Sequence, residues 1–153
     1  MSFRFHHKIF EKQTALFADF QDFEQKIQAL AQQINLDLNQ YEIDHLSLRV
    51  NTEQTAKAWL TLLLEYGSVL SDNLINGRVI YLIQLHEPLR LAQQEVDVVE
   101  LPFPKDKHYP QETWEHIEIV MPFWPSESIK DWVSRVCNTF LWKELTQLTM
   151  KVS

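Results

Sequence analysis

The feature that most constrains this fold is a short strand-like run that occurs twice, as Asp44–Val50 and as Glu115–Met121. In each copy an acidic residue precedes a histidine, and aliphatic residues then alternate with polar ones. Because successive side chains of a strand point to opposite faces, we expect two half-buried strands with His45 and His116 on the polar face. The two histidines stand 71 residues apart, and an amphipathic helical pattern follows each copy. The sequence therefore predicts a duplicated strand-and-helix unit.

Residues 41–104 predict one complete βαβββ module. Its first strand, over residues 43–50, has an alternating set that we expect on the polar face: Ile43, His45, Ser47 and Arg49. A helix follows, with Asn51 or Thr52 as its cap and Gly67 as its stop. Three more strands are predicted after it, over residues 69–74, 78–85 and 96–101. Asn76-Gly77 indicates a hairpin between the first two of these, because both residues tolerate a positive φ.

Two further segments flank this module and complete one globular domain. Residues 1–40 predict an amino-terminal helical segment, either one bent helix or a pair, because apolar residues recur at helical spacing with no proline or glycine from residue 8 to 36. Residues 105–153 predict a linker and an incomplete second module. Its helix would be capped by Ser126 and would bury Cys137 on its apolar stripe, and the residues from Trp142 onward leave room for one short strand.

The distribution of charged residues limits the classes of partner that we expect. The formal net charge is -7, and the lysines and arginines are scattered, so we expect neither a nucleic-acid nor a membrane surface. No stretch approaches the roughly 20 apolar residues of a membrane helix, and the first residues lack the apolar run of a signal peptide. We therefore expect a cytoplasmic protein with a small-molecule ligand. An incomplete sheet would also expose a strand edge, through which a homodimer could form.

The polar faces of the two copies predict a metal site. Two modules related by a pseudo-twofold axis would bring His45 and His116 together, and Glu100, near the end of the fourth strand, can turn toward them. Two imidazoles and one carboxylate suit a divalent iron, manganese, zinc or nickel ion and leave open positions. Glu118, two residues after His116, is a candidate general base or fourth ligand.

Two further residues are candidates for substrate binding. Arg49 could hold an anionic substrate group or neutralise the carboxylates. Tyr81, together with Trp114, would line the cup of a metal-free protein that sequesters a small molecule. Three classes of function stay open: a metal-dependent enzyme, such a metal-free binding protein, or an inactive truncated remnant. We favour the first, because both histidines lie on the inward face of their strands.

Several sequence blocks resemble the YecM family. They are Asp44-His45-Leu46-Ser47-Leu48-Arg49, Ile75-Asn76-Gly77-Arg78, Leu85-His86-Glu87-Pro88, Val99-Glu100-Leu101-Pro102-Phe103-Pro104, and Tyr109-Pro110 followed by Trp114-Glu115-His116-Ile117-Glu118. That family is similar to the vicinal-oxygen-chelate superfamily of glyoxalases, extradiol dioxygenases and bleomycin-resistance proteins. The resemblance implies an α+β fold of paired βαβββ modules, a curved mixed sheet around a cavity, and metal ligands at His45, Glu100 and His116. The resemblance does not imply a reaction or a substrate. If the chain is a metal-dependent enzyme, a cation that binds two vicinal oxygens would support isomerase, lyase or dioxygenase chemistry.

Overall fold

The computed structural model describes residues 7–142, which form an α+β fold around one mixed sheet of five strands. The helices are α1 (Lys8–Lys12), α2 (Thr14–Gln33), α3 (Glu53–Leu64) and α4 (Ile129–Thr139), with a 3₁₀ turn at Leu38–Gln40. The strands are β1 (Glu42–Arg49), β2 (Gly67–Ile75), β3 (Arg78–Leu91), β4 (Gln94–Pro102) and β5 (Thr113–Val120). None of the helices in this part of the chain has the length and apolar character needed to cross a bilayer.

The strands lie in the order β2-β3-β4-β1-β5, with β1 parallel to β4 and the other neighbours antiparallel. The predicted curved mixed sheet is thus confirmed, and it is unclosed. Along the chain, β1, α3, β2, β3 and β4 follow the predicted βαβββ order. The second copy contributes β5 and α4, and the short strand expected near the carboxyl terminus lies mostly outside the described residues. A pair of full modules is therefore not established.

One face of the sheet carries the core. The Trp114 ring of β5 lies 5.1 Å from Phe20 and 6.5 Å from Phe23, both on α2, and 5.5 Å from Trp59 on α3, measured between ring centroids. Aliphatic side chains of the central strands are almost completely buried beside them: Leu46, Leu48, Ile83, Val99 and Leu101. Because α2 and α3 cover this face, the polar side chains of the strands are left to the other one.

A β-bulge in each copy of the repeat decides which side chains reach the polar face. Pairing between β1 and β5 shifts between Ile43 and His45, so that Asp44 has no opposite residue. Ile43 is consequently buried in the core, and its predicted place on the polar face is wrong. A second shift skips Glu115, because Ser47 lies opposite His116 and Leu48 lies opposite Trp114.

The ends of several elements differ from the predicted ones. The amino-terminal segment is a pair of helices, which meet at Gln13. Thr52 caps α3 as expected, but Ser128, rather than Ser126, caps α4. Cys137 is exposed, so its predicted burial is wrong.

The strand β3 runs between two tight turns, one before Arg78 and one after Leu91. Asn76 and Gly77 have φ values of 53° and 81°, which confirms the predicted tight turn. A second tight turn at Ala92 and Gln93, with φ values of 49° and 68°, was not predicted. The predicted helix stop at Gly67 is wrong, because α3 ends at Leu64 with Glu65 as its C-cap. Gly67 instead begins β2, and a Cβ atom there would lie 2.3 Å from the carbonyl oxygen of Gln84. The close approach of β2 to β3 therefore requires a glycine at this position.

Candidate metal centre

Three possible ligand atoms converge on the polar face of the sheet. A ring nitrogen of His45 and one carboxylate oxygen each from Glu100 and Glu118 all lie within 4.8 Å of one another. The strand order produces this arrangement. On β1, Ser47 lies opposite Glu100 of β4, and His45 lies opposite Glu118 of β5. Because opposed residues in a sheet share a face, the central strand receives a carboxylate from each neighbouring strand.

The His45 imidazole is held by carboxylates at both ring nitrogens. Its Nδ1 lies 2.8 Å from Asp44 Oδ2, and its Nε2 lies 2.8 Å from Glu118 Oε2 and 3.6 Å from Glu100 Oε2. The residue is only 8% exposed. The bulge at Asp44 brings that carboxylate beside the ring and leaves Nε2 to face Glu100 and Glu118. A carboxylate on the far nitrogen is the usual partner of a metal-ligating histidine, since it fixes the ring and its tautomer.

The electrostatics of the cluster favour a cation at its centre. The Glu100 carboxylate, with Asp44 and Glu118, raises the pKa of His45 to about 9, although burial opposes the shift. The pKa of Glu100 is lowered in turn by the His45 ring and by the hydroxyl of Ser47. This hydroxyl donates a 2.9 Å hydrogen bond to Glu100 Oε1. At neutral pH the metal-free cluster therefore holds an imidazolium. The same carboxylates suit a divalent ion beside a neutral imidazole, with release of the proton.

His116 lies beside this cluster and not within it. Its Nε2 is 3.9 Å from Glu118 Oε2, its Nδ1 contacts Glu115 Oε1, and its side chain is 42% exposed. Burial of the ring lowers the pKa of His116. Of the three ligands expected from the sequence, the structure brings His45 and Glu100 together. Glu118, expected as a general base or a fourth ligand, is the third member of the cluster in place of His116.

The other sequence candidates lie apart from the three ligand atoms. Arg49 forms an ion pair with Glu115, and its Cζ lies 3.6 Å from the centroid of the Tyr109 ring. Tyr81 is opposite the core residue Leu101, and its ring lies 5.4 Å from that of Phe103. Both Tyr81 and Trp114 therefore belong to the helix-covered face of the sheet.

The antiparallel pairing of the two copies could have predicted that Glu118 lies beside His45. A pseudo-twofold axis between two antiparallel strands places the histidine of each copy opposite a later residue of the other copy. His45 therefore lies opposite Glu118, and Ser47 lies opposite His116, each two residues along from the equivalent histidine. The alternation alone indicated only that all four side chains share a face.

The comparisons with known proteins agree with one another. A family model described as YecM protein matches residues 12–153. An uncharacterized protein of Haemophilus influenzae is 62% identical over 143 residues, which cover 94% of this chain and 74% of that protein. Protein YecM of Escherichia coli is 42% identical over 105 residues, covering 69% of this chain and 56% of that protein. A solved structure described as structural-genomics protein EC4020 is 35% identical with a TM-score of 0.75, covering 88% of this chain and 71% of the other.

Proposed function

The chain belongs to the YecM family, and we propose that it binds a divalent metal ion through His45, Glu100 and Glu118 on the polar face of its sheet. We further propose that this ion serves the vicinal-oxygen-chelate type of chemistry on a small oxygenated metabolite. The βαβββ order of the elements from β1 to β4 supports that second step. The reaction would be an isomerisation, a lyase reaction or a dioxygen-dependent oxidation.

The observation that carries the proposal is the convergence of the three ligand atoms around a buried, pre-oriented imidazole. Two carboxylates balance the charge of a divalent ion, and Asp44 holds the far side of the ring. Imidazole and carboxylate donors together suit iron(II), manganese, zinc or nickel. The residues therefore fit the metal that the family resemblance implies.

The chemistry follows from which ligand positions the protein fills. Three protein ligands leave positions open, where a bound ion supplies Lewis acidity to oxygen donors. His116 Nε2, 3.9 Å from a Glu118 oxygen, lies where it can exchange a proton with a molecule bound beside Glu118. Ser47 holds Glu100 in place through its 2.9 Å hydrogen bond.

Equilibrium dialysis of metal-stripped, untagged protein tests the proposal. The wild type should retain about one equivalent of zinc, manganese, iron(II) or nickel, measured by inductively coupled plasma mass spectrometry, because the cluster holds one ion. Glu100→Gln and Glu118→Gln should each weaken binding by more than the 10- to 100-fold typical of losing an outer partner. The matched control is Glu42→Gln, which removes an exposed carboxylate from the same strand as His45. Less than about a tenth of an equivalent in the wild type, or equal affinity in all variants, would contradict the proposal.

A further inference from the structure

The linker between β4 and β5 is fastened to the end of β1 by one side chain. Asn51 Nδ2 donates to the carbonyl oxygen of Tyr109 at 2.7 Å, and the Tyr109 amide donates to Asn51 Oδ1 at 2.8 Å. The backbone N–H of Asn51 also donates to Glu112 Oε2 at 2.6 Å. Both backbone polar groups of Tyr109 are thus bound by a single amide side chain. These bonds fix the position of the Tyr109 ring relative to β1.

From that ring, a continuous set of contacts leads to His116. The Arg49 guanidinium lies over the Tyr109 ring, with Cζ 3.6 Å from its centroid, and forms an ion pair with Glu115. The other oxygen of Glu115 contacts His116 Nδ1. Arg49 and Glu115 are both partly buried, with side chains 36% and 22% exposed. Partial burial strengthens the ion pair and the contact between cation and ring relative to fully solvated ones.

Glu115 needs this support because of its place in the sheet. It is the bulged residue of β5, which is an edge strand in the part of the chain that the structure describes, and it has no opposite residue on β1. An unsupported carboxylate there would lose little by turning to solvent. The Arg49 guanidinium, held in turn by the Tyr109 ring, keeps the carboxylate on the imidazole.

We propose that Asn51 and Tyr109 are positioning residues of the candidate metal centre, which fix the tautomer and orientation of His116 by holding Arg49 on Glu115. A carboxylate at Nδ1 places the proton there and leaves the lone pair of Nε2 directed toward Glu118. The role of this arrangement toward a cation rests on the function proposed above. The set of contacts itself involves only groups of the protein.

The first test uses metal-free protein, so that it does not depend on cation binding. Long-range ¹H–¹⁵N spectra at pH 8 report the tautomer of each histidine, and His116→Gln identifies the signals of His116. The wild type should show the Nδ1–H tautomer. Tyr109→Leu and Asn51→Ala should weaken that preference about tenfold, as expected for loss of a charge-assisted hydrogen bond. Tyr109→Phe keeps the ring and should give the wild-type signals.

A second stack in the molecule provides the control. Arg135 Cζ lies 4.2 Å from the Trp124 ring, away from the cluster, and Trp124→Leu removes that stack. The signals of His116 should be unchanged in this variant. If Asn51→Ala fails to fold, Arg49→Lys takes its place. Lysine keeps the positive charge but loses the guanidinium that lies over the Tyr109 ring, so His116 should lose its tautomer preference. A wild-type tautomer of His116 in folded Tyr109→Leu and in Arg49→Lys would overturn the proposal.

Zinc titration then separates this inference from the proposed function. Tyr109→Leu and Asn51→Ala should bind zinc about tenfold more weakly than the wild type, and Tyr109→Phe should bind it equally well. If the wild type binds no cation, the proposed function fails, while the tautomer measurement still decides the positioning role. If the wild type and Tyr109→Leu bind zinc with equal affinity, the positioning role toward the cation is wrong and the proposed function stands.

Discussion

The two copies of the acidic-histidine strand use the same local device with different results. Asp44 and Glu115 are each the bulged residue before a histidine, and each contacts the Nδ1 atom of that histidine. Yet His45 is 8% exposed and lies at the centre of the ligand cluster, whereas the His116 side chain is 42% exposed and lies at its margin.

The strand order explains the difference. β1 has neighbours on both sides, so His45 receives Glu100 from β4 and Glu118 from β5. β5 is an edge strand among the described residues and has β1 alone beside it. The repeat therefore supplies a histidine on the polar face in each copy, and the neighbouring strands decide whether carboxylates surround it.

Replacing each histidine in turn should have the largest and most unequal effects. His45→Gln should abolish zinc binding in the concentration range where the wild type saturates, because it removes the central donor. His116→Gln should weaken binding only about tenfold, the effect typical of an outer residue. Isothermal titration calorimetry measures both. Equal losses would show that the two copies contribute alike.

The bulged acids give the next largest effect. Asp44→Asn should lower zinc affinity by about 10- to 100-fold, because it removes the carboxylate that orients a ligand. Glu115→Gln should have a smaller effect, since its histidine is not one of the three ligands. Competition with a chromogenic chelator measures both affinities. A larger loss in Glu115→Gln than in Asp44→Asn would reverse the assigned roles.

The pH dependence of the metal-free protein tests the electrostatics of the first copy. The pKa of His45 is raised from about 6.5 to about 9, so its stabilising contribution is present below pH 6.5 and is lost as the pH rises through 9. The loss amounts to at most about 3 kcal/mol. Urea unfolding in chelator between pH 6 and 10 measures it. The same slope in His45→Gln would show that another group is responsible.

The smallest effect is expected at Ser47, the residue equivalent to Glu118 in the repeat. Ser47→Ala removes the hydrogen bond to Glu100 from a completely buried position and should lower the free energy of unfolding by about 1 kcal/mol. Chemical denaturation of the metal-free protein measures this change. The zinc affinity should fall less than in Asp44→Asn, and a greater fall would mean that Ser47 is essential for placing Glu100.

Local patterns in the sequence predicted most of the elements, because strand alternation and helical spacing are short-range properties. The Asn76-Gly77 turn was equally readable, since its residues tolerate the φ values that they adopt. The turn at Ala92 and Gln93 could not be predicted, because neither residue favours a positive φ. There the pairing of β3 with β4 decides the conformation.

The site was predicted in part for a similar reason. Alternation placed His45 and Glu118 on the polar face, and their convergence with Glu100 depends on which strands are neighbours. The bulges at Asp44 and Glu115 arise only when β1 and β5 pair, so the burial of Ile43 could not be read from its own strand. The choice between His116 and Glu118 likewise required the register.

Anomalous diffraction from crystals soaked in zinc or manganese tests the central claim most directly. We expect one strong peak at about 2.0–2.2 Å from His45 Nε2 and from one oxygen each of Glu100 and Glu118. The Asp44 carboxylate should remain within hydrogen-bond distance of His45 Nδ1. Two results would contradict this expectation. One is the absence of a peak after a soak at saturating metal concentration, and the other is a peak whose ligands do not include His45.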